Sequence, residues 1–301
     1  MKDFNPVCPV PHAPEDTVTL AHGSGGRMMH RLINKIFLAN FTDPALHDAH
    51  DGAVFELGKG LTAFTTDSFV IRPLFFPGGN IGSLSIHGTA NDLAMCGAQP
   101  RFLSCGFIIE EGLAISALQD VAAAMAKTAS EIGLRIVTGD TKVVERGKGD
   151  GLYLNTAGVG RILAKKPVSP SRVAAGDRIL ISGDVGAHGA AVLSVREGLK
   201  FDTELKSDCA HLWPQVKALL DAGVDIHCLR DLTRGGLATA LNEIAQKSGC
   251  GIVADEDAIP VRREVEGACE MFGLDPLYMA CEGRFIAIVP QKEAKKTLAA
   301  L

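Results

Sequence analysis

The sequence predicts an α/β protein built as two domains. Three observations carry that expectation. A length of 301 residues exceeds what one hydrophobic core usually serves. Short apolar runs with strand-like composition recur between segments whose apolar residues repeat at helical spacing. Glycine is abundant, at 33 residues, while aromatics make up only 5%, which suits close-packed helices and Gly-rich loops.

In chain order, residues 1–20 hold four prolines and little periodicity. With His22-Gly23-Ser24-Gly25-Gly26 they predict a mobile Gly-rich arm over 1–26. A helical pattern follows from Met28 to Leu38. LTAFTT (61–66) alternates and predicts a strand ending at Asp67. RPLFFPGGN (72–80) predicts a loop, Ile81 to Met95 a helix, and FLSCGFII (102–109) a buried strand. Ser116 and Gln119 predict a capping box for a helix that Gly133 stops. LRIVT (134–138) predicts a strand running into Gly139-Asp140-Thr141-Lys142, and LYLNTAGVG (152–160) another. Residues 27–163 thus form the expected first domain. Residues 164–177, with two prolines and mixed charge, predict the linker. The second domain, 178–301, restarts with a strand (178–182), continues with a helix from Leu237 to Lys247 and a strand at 285–289, and stops in an apparent helix as though cut short.

Composition narrows the function. With 47% apolar and 22% charged residues the chain can bury a sizeable core and lacks a disordered composition. A net charge of −5 without a basic stripe argues against nucleic-acid binding. No apolar run is long enough to span a membrane and the N-terminus does not read as a signal peptide, so the cytoplasm is the expected compartment. None of the eight cysteines forms a C-x-x-C pair, which argues against a zinc or iron–sulfur centre.

Four aspartates stand out by placement. Asp67 and Asp140 follow strand patterns, Asp92 lies in a helix beside Asn91, and Asp231 precedes Thr-Arg-Gly-Gly. Acids gathered on the rim of a sheet repel one another unless a cation joins them, and Mg²⁺ accepts carboxylate, water and phosphate oxygens. Each aspartate alone could equally cap a turn. The glycines at 22–26 leave backbone N–H groups free to wrap a triphosphate. Neither G-x-x-x-x-G-K-[ST] nor a post-strand G-x-G-x-x-G is present. Lys142 and Arg234 neighbour Asp140 and Asp231, as groups that neutralise a transferring phosphoryl group would, or as surface ion pairs. Glu282 is a candidate base. His22, His87 and His188 read as structural hydrogen-bonders.

The segments LAHGSGG, FTTDSFVIRPLFFPGGNIG, GTANDLAMCGAQPRFLSCGFIIEEG, IVTGDTKVVERG, NTAGVG and LRDLTRGGLATALNEIA resemble, in order and over most of residues 20–290, the HypE family of hydrogenase-maturation factors. The wider pattern is similar to the superfamily of aminoimidazole-ribonucleotide synthase, selenophosphate synthetase and thiamine-phosphate kinase. The resemblance implies a two-domain α/β fold whose first domain dimerises through its strands into a homodimer. It implies ATP-dependent dehydration of a cysteine S-carboxamide to the S-cyanide that becomes the cyanide ligand of [NiFe] hydrogenase. It further implies that Asp67, Asp92 and Asp231 hold Mg²⁺ with help from Asn91. Gly139, Asp140 and Thr141 would contact nucleotide or metal, Lys142 would stabilise the phosphorylated intermediate, and His22 to Gly26 would close over the triphosphate. The implied partners are the carbamoyltransferase HypF and the HypC–HypD complex. The family ends in Pro-Arg-Ile-Cys, whose thiol carries the carbamoyl group. This sequence reads Leu301 at its end, so the expectation is ATP binding without turnover on its own tail. A sister activity of the superfamily and a non-catalytic nucleotide-binding scaffold remain alternatives.

Overall fold

The computed structural model describes residues 16–23, 27–43, 58–198 and 205–301. Ser24, Gly25, Gly26 and most of the expected arm lie outside them. The helical pattern near the start becomes α1 (Arg27–Leu32), a π-helical turn (Ile33–Phe37) and α2 (Leu38–Asn40). Then come β1 (Thr62–Phe69), a two-residue hairpin of β2 (Phe75–Phe76) and β3 (Gly79–Asn80), α3 (Ile81–Met95), β4 (Ala98–Glu110), α4 (Ile115–Glu131), β5 (Arg135–Val144) and β6 (Leu152–Ile162). The C-terminal half holds β7 (Arg178–Ile181), α5 (Ala187–Arg196), α6 (Trp213–Asp221), β8 (Cys228–Asp231), α7 (Gly236–Ser248), α8 (Arg263–Phe272), β9 (Phe285–Val289) and α9 (Ala294–Ala300). None of the described helices is long and apolar enough to cross a membrane.

The N-terminal half is a four-stranded sheet in the order β1-β6-β4-β5, antiparallel except for the parallel β4–β5 pair. Helices α3 and α4 cover one face. The other face is uncovered among the described residues and carries Phe64 at 71% exposure and Ile108 at 42%. The C-terminal half has an antiparallel sheet, β7-β9-β8, and every residue of central β9 is buried.

Helix α3 organises the molecule. Its start is fixed by a capping box: the Asn80 carboxamide oxygen accepts from the Gly82 and Ser83 N–H groups, and the Ser83 hydroxyl sits 3.1 Å from the Asn80 nitrogen. Most of its residues are buried, on every side, as befits a helix packed between layers. Gly82 lets it approach α4, because a Cβ there would stand 2.5 Å from the Val121 carbonyl oxygen. Ala94 and Met95, at its far end, pack into the core of the C-terminal half with Trp213, Leu229 and Phe285.

Several local expectations change. Helix α4 begins at Ile115 after Ala114, with no side-chain cap, so the Ser116–Gln119 box does not form. The expected loop at 72–80 contains the β2–β3 hairpin. Asp67 and Asp140 lie inside strands rather than at their ends, because β1 stays paired with β6 through Phe69 and β5 with β4 through Val144. The expected linker is tied down: Arg172 donates to the carbonyls of Pro167 and Ile226 and pairs with Asp225 at 2.7 Å.

Candidate active site

Strand alternation sends Ala63, Thr65, Asp67 and Phe69 toward α3, while Phe64 and Thr66 face away. On α3, Gly88 and Asp92 are one turn apart and face β1. A Cβ on Gly88 would stand 2.9 Å from the Phe69 ring and 3.9 Å from Asp67 Oδ2, so this glycine leaves room where the strand crosses the helix. The Thr65 hydroxyl donates to Asp92 Oδ2 at 3.0 Å, and the Ser68 N–H donates to Asp67 Oδ1 at 2.8 Å.

Opposite, Asp231 closes β8 and is 7% exposed. The chain then turns through Gly235 and Gly236, both with positive φ, into α7. A Cβ on Gly236 would lie 2.5 Å from the Leu277 carbonyl oxygen and 2.6 Å from that of Met279, so α7 can start here only with glycine. The Cys281 N–H donates to the Leu232 carbonyl at 2.9 Å, which brings Glu282 alongside Asp231.

Asp67, Asp92, Asp231 and Glu282 thus line one cleft of about 1000 Å³ between the two halves, with Arg230 and Arg234 on its wall. That volume suits a nucleotide-sized ligand. Its electrostatics are unbalanced. Burial, then the Asp92 charge, raise the Asp231 carboxyl to about 7. Burial raises Asp92 also, with Asp67 adding to it and the Thr65 hydrogen bond opposing. Burial and the surrounding acids, Asp231 foremost, hold Glu282 well above the usual glutamate value. His188, on the cleft wall, bonds through Nδ1 to the Ser207 hydroxyl at 2.8 Å, and burial lowers it to about 4, so it is neutral at physiological pH.

Among the described residues no three His, Cys, Asp or Glu side chains form a ready-made metal cage. The three aspartates face one space without closing on a common point. That arrangement fits Mg²⁺, which keeps waters and takes phosphate oxygens alongside one or two carboxylates, and the raised carboxyls mark where a cation's charge would be welcome.

Other expected site residues are placed elsewhere. Asn91 is 2% exposed and spent on the junction between the halves. Its amide donates to the Ala210 carbonyl at 3.0 Å and the Glu282 carbonyl at 3.4 Å, and its oxygen accepts from the Leu212 N–H at 2.9 Å. Helix geometry turns Asn91 about 100° from Asp92, which takes it off the cleft. His22 is buried and accepts through Nδ1 from the Thr19 N–H at 3.0 Å, in a 3-10 turn (Leu20–Gly23) packed against β5 rather than the cleft. Asp140 and Lys142, two apart on β5, form an exposed pair at 2.8 Å, and the lysine holds the Asp140 carboxyl below its ordinary range. Gly139, Asp140 and Thr141 line a separate pocket of about 340 Å³ with Phe37, Phe41 and Phe107. In register, Asp140 is opposite Gly106, Gly106 opposite Asn155 and Asn155 opposite Ser68, so two strands separate the β5 group from Asp67 within one chain. Sequence reasoning missed Arg230, which pairs with Glu243 at 2.7 Å at the cleft and is the first cation acting on Asp231. Its only sequence signal was adjacency to Asp231.

Comparison with known proteins places this geometry. The family model for the N-terminal domain of AIR synthase related proteins matches residues 49–162, and that for the C-terminal domain matches 174–301. Carbamoyl dehydratase HypE of Azotobacter vinelandii is 50% identical over 285 residues, covering 95% of this chain and 84% of that protein. The chain belongs to the HypE family. HypE of Escherichia coli K12 is 49% identical over 291 residues, covering 95% of this chain and 86% of the relative. A crystal structure of HypE in complex with ATP superposes with a TM-score of 0.92 at 51% identity, covering 94% of this chain and 84% of that one. A thiamine monophosphate kinase from Aquifex aeolicus, at 17% identity and TM-score 0.61, shares the fold.

Proposed function

We propose that this HypE-family chain binds ATP with Mg²⁺ and dehydrates a cysteine S-carboxamide to the S-cyanide in hydrogenase maturation. The observation that supports it is the convergence of Asp67, Asp92, Asp231 and Glu282, drawn from both halves, on one cleft, in a chain half-identical to carbamoyl dehydratases.

A carboxamide is a poor electrophile and loses its oxygen only after activation. In our reading the amide oxygen attacks the γ-phosphorus, the bond to the β-phosphate oxygen breaks to release ADP, and one of the two nitrogen protons leaves, giving an imidate phosphate. Loss of the remaining nitrogen proton and departure of phosphate then leave the nitrile. Mg²⁺, when bound, supplies charge neutralisation at the phosphates. Asp67, Asp92 and Asp231 would hold it. Burial and its acidic neighbours hold Glu282 in the protonated form; with a cation bound among those acids it would lose that proton and then take the nitrogen proton. Arg234, exposed on the cleft wall, would face the phosphates. Lys142 with Asp140, Gly139 and Thr141 would act from the partner subunit of a homodimer formed on the open sheet face, which accounts for their separation from the cleft of their own chain. We take 27–163 and 178–301 as the two domains and the cytoplasm as the working compartment. HypF, which one solved structure shows in complex with HypE, and the HypC–HypD complex are the partners we assign.

The test supplies a peptide ending in S-carboxamido-cysteine, with ATP and Mg²⁺. Phosphate release should accompany loss of one water's mass from the peptide. Asp67→Asn should lose both while its unfolding curve stays in place. Phosphate release without change in the peptide, or full turnover by the variant, would refute the assignment.

A further inference from the structure

The geometry points to Asp208 as a positioning residue that sets Glu282 over the carboxylate cleft. This inference rests on the reading of Glu282 as the base. Asp208 is 8% exposed, and its Oδ1 accepts from the Glu282 backbone N–H at 3.1 Å. The Glu282 carbonyl is held from the other side, by the Ala210 N–H at 3.3 Å and the Asn91 amide at 3.4 Å. Both backbone polar groups of Glu282 are therefore fixed by residues remote in sequence.

The strap carrying Asp208 is anchored at both ends on the N-terminal half. The Ser207 N–H donates to the Pro77 carbonyl at 2.9 Å, and the Leu212 N–H donates to Asn91 at 2.9 Å. Close packing fixes the strap against the residue after Glu282, since a Cβ on Gly283 would stand 1.9 Å from the Asp208 carbonyl oxygen. Asp67 and Asp92 belong to the N-terminal half and Glu282 to the C-terminal half. The strap touches both and, together with the Asn91 amide on α3, fixes the Glu282 backbone relative to those aspartates. The second Asp208 oxygen is buried without a hydrogen-bond partner among the described residues.

The experiment compares Asp208→Ala, Asp208→Asn and Glu282→Gln with the parent chain, using the S-carboxamido-cysteine peptide, ATP and Mg²⁺. Melting temperature checks the fold. Asp208→Ala removes the acceptor, and kcat should fall about 100-fold, as small misplacements of a reacting group do, while the KM for ATP holds. Asp208→Asn keeps an acceptor oxygen of the same reach and should restore most of kcat. If the alanine variant does not fold, Asp208→Ser takes its place, being polar but too short to reach the Glu282 N–H. Wild-type kcat in the alanine or serine variant overturns the inference, and so does an asparagine variant as slow as alanine. Wild-type turnover by Glu282→Gln instead overturns the reading of the base, so the two failures are separable.

Discussion

Metal-free protein should lose stability as pH rises from about 4 to about 7, and Asp231 should be one of the reasons. Its carboxyl is 7% exposed, and its value is raised from 3.8 to about 7 by burial first and the Asp92 charge second. A carboxyl raised on folding binds its proton more tightly in the native state. Its contribution is complete below the unfolded value and is lost as pH climbs through the folded one. Each pH unit between the two values is worth about 1.4 kcal/mol, so the loss across the window is about 4 kcal/mol. Asp92 and Glu282, also raised, act in the same direction. Asp231→Asn carries no charge to ionise and should make the slope shallower, leaving the part that Asp92 and Glu282 carry. In chelator at about pH 8 the variant should be more stable than the parent by urea unfolding, and Mg²⁺ with ATP should reverse that order. A parent curve that does not fall across the window, or a variant curve that falls as steeply, would refute the reasoning.

Other outcomes follow from the junction and the open sheet. Asn91→Ala should cost about 2–3 kcal/mol, because the Leu212 N–H and the Ala210 carbonyl lose their partner in the interior, and thermal unfolding reads this directly. Gly283→Ala should cost more than about 3 kcal/mol, since no side-chain shift relieves a Cβ that meets the Asp208 carbonyl at 1.9 Å, and the folded fraction recovered in expression reports it. Phe64→Asp, on the open sheet face, should shift the chain to a monomer in light scattering while leaving its melting temperature within a few degrees. A dimer that persists in that variant would remove the sheet face as the interface.

Where local pattern decides structure, the sequence was readable. The helix over Ile81–Met95 and the strand over Phe285–Val289 were legible to the residue, one bounded by Asn80 and Gly97, the other by its unbroken apolar run. Strand ends were not. Asp67 and Asp140 look terminal because polar residues begin there, yet pairing with β6 and β4 carries both strands onward. The cleft acids Asp67, Asp92, Asp231 and Glu282 could be named from their settings, but their meeting depends on how the two sheets face across α3. Asn91 shows the limit of adjacency: it neighbours Asp92 in sequence and points elsewhere because a helix turns between them. Asp208 carries no local mark and Arg230 only its adjacency to Asp231, and the fold reveals what they touch.

The backbone contacts at Gly236 have a mechanical consequence. With the start of α7 seated on the carbonyls of Leu277 and Met279, and Leu232 bonded to Cys281, the Asp231 and Glu282 segments form one fused jaw. Neither acid can retreat from the other, so their repulsion is built in and is relieved by holding a proton or by an incoming positive charge.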